Sequence, residues 1–357
     1  MDLRLVHISG EPYEMGRQHG RMLRDEVRAL AEERVRLVLS RAASAGHEQD
    51  RARCLALAAR YLPAYRAYSA AGYEEFRGIA DGAGISQELL LISTGYTDYV
   101  DVSDRGTFPE ECTALWVRPE AAGGRTLCGQ TWDMHASVEP FAVLLHRKPN
   151  RGPATLSLTT AGCPSLFGIN AAGIAVGTNN LKGPDARPGV VFTAMIHEAL
   201  AADSFEAAVA ALTDAPRASG HNYYVADADG RVCDVETTAE HAVVLQPEGH
   251  TFAHANHYTA PGLASPVEAL AASSSPVRER RMRALLAAGS PPYAPEDIHR
   301  FLSDHEGGAR SICVHNTTPD GGKSCGMVLF CPQTREMWVR LGNPCEGPLQ
   351  HYALGNL

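Results

Sequence analysis

Near residue 112 the chain changes its local code, and this switch constrains the fold more than any other feature. Residues 13–45 are rich in Arg, Glu, Leu and Met and poor in strand formers, and a second helical stretch covers 51–70. Ser86-Gln87-Glu88-Leu89 opens a third helix with a Ser N-cap. From Cys112 onward strands lead: 112–117 and 125–133 flank Ala121-Ala122-Gly123-Gly124, which reads as a hairpin turn, and a second pair flanks Asn170-Ala171-Ala172-Gly173. Helices are expected at 191–202 and 204–213, strands at 222–226, 232–236, 241–245 and 251–256, helices at 276–288 and 295–303, and strands at 311–315, 325–331 and 336–341. Blocks of strands and helices without βα alternation imply an α+β fold, with antiparallel sheets covered by helices.

A net charge of −9 with no basic run argues against a nucleic-acid partner. No apolar stretch reaches membrane-spanning length, and Met1-Asp2-Leu3-Arg4 lacks a signal-peptide pattern, so a soluble, cytoplasmic protein is expected, with no membrane partner. Nine cysteines stand at 54, 112, 128, 163, 233, 313, 325, 331 and 345, none in a CxxC pair or at zinc-finger spacing. Disulfides and a metal are therefore not expected. No phosphate loop, dinucleotide glycine fingerprint or Gly-x-Ser-x-Gly elbow is present, and no cofactor is expected.

Cys112 is the leading candidate for chemistry. It opens a strand directly after 101–111, a stretch with Gly106, Pro109 and several acidic residues that reads as an exposed, cuttable linker. A break before Cys112 would place an α-amine, with a pKa near 8, beside the thiol as a built-in base. If the hairpin is centred between Ala122 and Gly123, Asp133 faces Cys112 across the ladder and can hold that amine. Asn179 and Asn180 close one strand and Asn256 another, and an Asn amide can donate to an oxyanion without adding charge. Turn or cap duty explains these asparagines equally well. His254 and His257 fit no metal motif, and Arg278 belongs to a basic helical run with one face able to turn inward.

Several segments then fall into a recognisable order. They are Ile8-Ser9-Gly10-Glu11-Pro12-Tyr13-Glu14-Met15-Gly16 with Gly20, Gly84-Ile85-Ser86, Cys112-Thr113 and Gly129-Gln130-Thr131-Trp132-Asp133. Gly173 through Leu181, Ala255-Asn256-His257, Ser275-Pro276-Val277-Arg278 with Arg281, and Ser311-Ile312-Cys313 complete the set. On these motifs nearly the whole chain resembles the acyl-coenzyme A:penicillin acyltransferase family (isopenicillin N acyltransferase and relatives), which are autoproteolytic N-terminal-nucleophile hydrolases.

The resemblance implies a four-layer αββα sandwich with a helical N-terminal region, cleaved between Glu111 and Cys112. Residues 1–111 would form a mostly helical α-chain or pro-segment and 112–357 the β-chain, the two associating as one composite domain. Carried over, Cys112 is the nucleophile and its freed amine the base, Asp133 positions that amine, Asn256 and the Asn179 region line the oxyanion site, and Arg278 braces the centre. Trp132, Asn180 and His257 fall where substrate would bind. Gln130 resembles the penicillin-acyltransferase branch rather than the bile-salt hydrolases. Two departures stand out: Glu111 replaces the usual Gly before the nucleophile, and Thr131 the usual Asn before Trp132-Asp133.

The expected activity is hydrolysis or transfer of the acyl group of a small N-acyl amine or acyl thioester through an acyl-enzyme on Cys112. Homo-oligomerisation stays open. So do two other readings: an unprocessed cysteine enzyme using His254 or His257 as base, and a non-catalytic small-molecule binding protein on the same fold.

Overall fold

The computed structural model describes residues 3–103, 111–265, 267–316 and 318–357. Strand β1 (Arg4–Gly10) is followed by seven helices: α1 (Pro12–Met22), α2 (Arg24–Ser44), α3 (Arg51–Ala59), α4 (Leu62–Tyr68), α5 (Ala70–Ala83), α6 (Gln87–Thr94) and α7 (Tyr96–Ser103). The expected helix over 13–45 is thus two helices, broken at Leu23. Ser86 caps α6 as its sequence implied, its Oγ accepting from the Leu89 N–H at 3.2 Å. Of the expected linker over 101–111, residues 101–103 belong to the end of α7, and 104–110 lie outside the described residues.

Next come β2 (Ala114–Val117), β3 (Leu127–His135), β4 (Ala142–Pro149), β5 (Thr155–Thr160), β6 (Phe167–Asn170) and β7 (Ala175–Leu181). Helices α8 (Phe192–Ala201) and α9 (Phe205–Thr213) lead to β8 (Gly220–Ala226), β9 (Val232–Thr237), β10 (Ala242–Leu245) and β11 (Thr251–His254). The remainder is α10 (Val267–Ala272), α11 (Ser275–Ala288), α12 (Pro295–Leu302), β12 (Gly322–Cys331), β13 (Glu336–Leu341) and β14 (Gln350–Ala353).

Two sheets result, one of eight strands in the order β1-β4-β5-β6-β7-β8-β9-β10 and one of six in the order β11-β2-β3-β12-β13-β14. The β1–β4 pair is parallel, so the N-terminal segment is built into the larger sheet. Period-2 alternation then sorts the smaller sheet's side chains. Trp116, Cys128, Trp132, Val328 and Phe330 enter the core shared with the larger sheet. Leu115, Val117, Leu127, Met327 and Leu329 pack instead against Met282 and Leu286 of α11 and Ile298 and Phe301 of α12. Helices α8 and α9 cover the other side of the larger sheet. The layers run helix, sheet, sheet, helix, and the fold is α+β.

The opening motif has a packing explanation. A Cβ on Gly16 would sit 2.0 Å from the Glu75 carbonyl oxygen, and one on Gly20 would sit 2.2 Å from that of Ile79. Reciprocally, a Cβ on Gly78 would meet the Tyr13 carbonyl oxygen at 2.1 Å. Helices α1 and α5 therefore approach backbone to backbone, closer than side chains permit.

Candidate active site

The β2–β3 hairpin carries the nucleophile candidate. Its register pairs Ala114 with Gln130 and Trp116 with Cys128, half a residue from the expected centre, so the residue opposite Cys112 is Trp132 and not Asp133. The shift arises because Pro119–Ala121 form a 3-10 turn where a tight two-residue hairpin was expected. Contact with Asp133 survives through the backbone: the Asp133 N–H donates to Cys112 Sγ at 3.4 Å. On the other side of β3, β12 bulges between Ser324 and Gly326, opposite Asp133 and Trp132. Such bulges re-aim side chains beside functional sites.

Arg278, fully buried on the first turn of α11, is the hub. Its Nη1 donates to the Cys112 carbonyl oxygen at 2.5 Å and to Thr113 Oγ1 at 2.8 Å. Its Nη2 donates to Glu111 Oε2 at 3.1 Å and to Asn256 Oδ1 at 3.0 Å, and its Nε to Ser274 Oγ at 2.8 Å. Five donors with five acceptors make a satisfied buried guanidinium, the arrangement Arg geometry allows and Lys does not.

Glu111 is held as firmly. Its carboxylate accepts from the Ser273 and Ser274 hydroxyls and from the Ser274 N–H at 2.9 Å. Burial alone would push this carboxyl up, but Arg278 and the serine donors outweigh burial and hold it below the usual range.

Asp133 has the opposite environment. Both its oxygens are buried and neither completes a hydrogen bond among the described residues. Burial pushes its carboxyl up to about 7, eased by the charge of Arg278 and the nearby Ser324 and Thr131 hydroxyls. A buried carboxyl lacking a full partner is a place prepared for a cation or donor. Asp133 and Glu111 line one cavity of about 630 Å³ with Ser274, Val314, His315 and Lys323.

The asparagines divide their duties. Asn256 Nδ2 donates to the Asn180 carbonyl at 2.9 Å, which leaves its second amide hydrogen for another acceptor. Asn179 Nδ2 instead donates to the carbonyls of Ala255 (2.8 Å) and His254 (3.3 Å), so it supports the turn that presents Asn256. Trp132 is buried between the sheets, and Asn180 is half-buried at the end of β7.

The two histidines are already engaged. His254 Nδ1 contacts the Ala255 carbonyl at 2.8 Å and Nε2 the Glu236 carboxylate at 2.9 Å. Burial works against its charge, yet Asp234 and Glu236 outweigh burial and raise its affinity for a proton. An imidazolium between two acceptors is a poor general base. His257 lies between Ser275 Oγ (2.6 Å) and Glu279 Oε2 (3.0 Å).

The structure therefore brings Glu111, Cys112, Asp133, Asn256 and Arg278 together, with Asn179 and Asn180 one hydrogen bond further out and His257 on the Ser275 side. Sequence reasoning missed Thr113, Ser273, Ser274 and Ser324. It treated Gln130 only as a family marker, although its amide pairs with both the N–H (2.8 Å) and C=O (2.7 Å) of Thr178 and ties β3 to β7 across the sheets. The run Ser273-Ser274-Ser275 ahead of the Arg-rich helix was the available signal.

The model of the acyl-coenzyme A:6-aminopenicillanic acid acyl-transferase family matches residues 120–346. The chain belongs to this family. The matched span holds Asp133, Asn179, Asn256 and Arg278, and Cys112 stands just before it. An uncharacterized protein of Archaeoglobus fulgidus is 27% identical over 254 residues, 64% of this chain and 42% of the relative, so the chain spans less than half of that relative's length.

Among solved structures, a Caenorhabditis elegans ortholog of N-acylethanolamine-hydrolyzing acid amidase is similar at a TM-score of 0.47 and 13% identity, over 62% of this chain and 93% of that one. A conjugated bile acid hydrolase from Clostridium perfringens is similar at 0.46 and 12%, over 69% and 93%. Penicillin V acylase from Agrobacterium tumefaciens is similar at 0.43 and 14%, over 69% and 87%. No helix among the described residues is long and apolar enough to cross a membrane.

Proposed function

We propose that this protein is an autoproteolytic cysteine amide hydrolase or acyltransferase acting on a small N-acyl amine. The observation that carries the reading is the convergence of Arg278 on both residues of the Glu111–Cys112 bond and on Asn256. A site that only bound ligand would not need the peptide bond before a buried cysteine to be gripped from both sides.

In maturation, the Cys112 thiol adds to the Glu111 carbonyl carbon and the C–N bond breaks, leaving a thioester and a free α-amine. Water then hydrolyses the thioester, giving the Glu111 carboxylate and the regenerated thiol. The chain becomes an α-chain ending at Glu111 and a β-chain starting at Cys112, held together by the shared sheet and core.

In turnover, the new α-amine takes the thiol proton and the thiolate attacks the substrate's acyl carbon. Asn256 donates its uncommitted N–H to the oxyanion, with Asn179 fixing the turn that aims it. The α-ammonium returns the proton to the leaving amine as the acyl-enzyme forms. Asp133, a buried carboxyl without a full partner before cleavage, pairs with that ammonium afterwards. Water completes hydrolysis, or an acceptor amine completes transfer. Arg278 braces the Cys112 carbonyl throughout. Trp132, Asn180 and His257 are assigned to the substrate side.

The committed rings of His254 and His257 disfavour an unprocessed cysteine–histidine enzyme. We place the protein in the cytoplasm, where its nine free thiols match a reducing compartment.

The test is a panel of small N-acyl p-nitroanilides, with mass analysis of the β-chain during turnover. The reading expects p-nitroaniline release and an acyl adduct on Cys112, both lost in Cys112→Ala. Undiminished release by Cys112→Ala would overturn it.

A further inference from the structure

In the segment after α12, His305, Cys313 and His315 meet Cys345 from the turn after β13. One ligand atom from each lies within 4.8 Å of all the others. The sulfurs of Cys313 and Cys345 are 3.8 Å apart, and His315 Nε2 is 3.2 Å from Cys345 Sγ and 3.9 Å from Cys313 Sγ. A tetrahedral zinc ion with Zn–S of about 2.3 Å and Zn–N of about 2.0 Å sets its sulfurs about 3.8 Å apart and sulfur to nitrogen about 3.5 Å. The sulfur pair has that separation, and the two nitrogen distances bracket theirs.

The surroundings match as well. A zinc-bound imidazole usually directs its other ring nitrogen to a carbonyl or carboxylate, which fixes the tautomer. His305 Nδ1 contacts the Cys313 carbonyl at 3.1 Å, which leaves Nε2 for an ion, and His315 Nδ1 faces Glu346 Oε1 at 3.7 Å. Asn343 Nδ2 points at Cys313 Sγ at 3.6 Å, a donor suited to a thiolate.

We propose that His305, Cys313, His315 and Cys345 form a structural zinc site of the Cys₂His₂ type. Binding one divalent ion displaces the two thiol protons and leaves the site neutral. Four protein ligands close the coordination shell, so the ion clamps the segment after α12 to the turn after β13 and supplies no chemistry of its own. That segment walls the catalytic cavity. Val314, between two ligands, exchanges backbone and hydroxyl hydrogen bonds with Ser324, the ladder partner of Asp133. The spacing of these residues matches no zinc motif, because the ligands come from two turns that only the β12–β13 hairpin brings together.

The test is elemental analysis of the full chain, loaded with zinc and desalted, beside Cys345→Ser and His305→Ala, whose side chains are exposed. About one zinc per wild-type chain is expected, falling below about one-tenth in both variants. Cobalt in place of zinc should give the visible bands of a tetrahedral thiolate site in wild type only. Chelation should lower the melting temperature of wild type and leave Cys345→Ser unmoved. Wild type that retains no metal, equal metal in wild type and variants, or a Cys313–Cys345 disulfide in the fresh metal-free protein would each overturn the proposal.

Discussion

Arg278 Nη1 lies 2.5 Å from the Cys112 carbonyl oxygen while Nη2 lies 3.1 Å from the Glu111 carboxylate, so one guanidinium holds both sides of a single peptide bond. Lysine keeps the charge but offers one point where five hydrogen bonds are needed. Arg278→Lys should slow maturation by about 10²-fold, the scale of an ångström-level misplacement of reacting groups. Arg278→Met should also destabilise the fold by about 3–5 kcal/mol, because Glu111 is left charged and half-paired. Urea unfolding and a maturation time course on gels check the two effects separately.

Glu111 stands where the resemblance leads one to expect Gly, and its side chain adds bulk and charge beside the bond to Cys112. Its carboxylate is instead held by Ser273, Ser274 and Arg278. Glu111→Gly should therefore mature more slowly than wild type, since the anchor of the scissile bond is lost. Faster maturation of Glu111→Gly would show that the side chain obstructs.

The carboxyl of Asp133 sits at about 7 in the uncut chain, above the ordinary Asp value near 3.9. The folded state thus binds a proton that the unfolded state has released between those values. The associated stability is complete below about pH 4 and is lost as pH rises through about 7. In the Cys112→Ala background, Asp133→Asn should flatten the fall in urea midpoint across that window. The residual slope combines Asp98 and Asp234, also at about 7, and Asp101 at about 8, with the opposite contributions of His19 and His146, pushed down to about 4, and His221, pushed down to about 3.

Gly16 and Gly78 set the α1–α5 approach, and the atoms that an added methyl would strike are backbone carbonyls that cannot rotate away. Gly16→Ala should cost about 1–3 kcal/mol or more. Gly355→Ala, with open space around its Cβ position, should be neutral. Thermal melts of the two variants beside wild type decide it.

The fold was legible where periodicity was strong and contacts local. The blocks behind α8, α9, α11, β8, β9 and β13 stand within a residue or two of their expected bounds. Strands β1, β4 and β5 escaped notice, and β1 in particular takes its place from a parallel partner more than a hundred residues away. The stretch 311–315 reads as a strand from Ile312, Cys313 and Val314, yet it is a turn, tied down by the side chains of Ser324 and Asn343. At the site, Cys112, Asp133, Asn256 and Arg278 were named from motifs, and the structure gathers them. The Ser273 and Ser274 anchor of Glu111 was not legible, because it joins positions more than 160 residues apart that only packing of α11 on the β11 edge, beside β2, makes neighbours.

Whether the chain cuts itself before Cys112 is decided by the intact mass of freshly purified protein beside Cys112→Ala. Two wild-type fragments are expected, the second beginning Cys112-Thr113-Ala114, and one uncut chain of 38.3 kDa in the variant. A single 38.3 kDa chain in both would rule self-cleavage out, since Cys112 would then have no free amine to serve as its base.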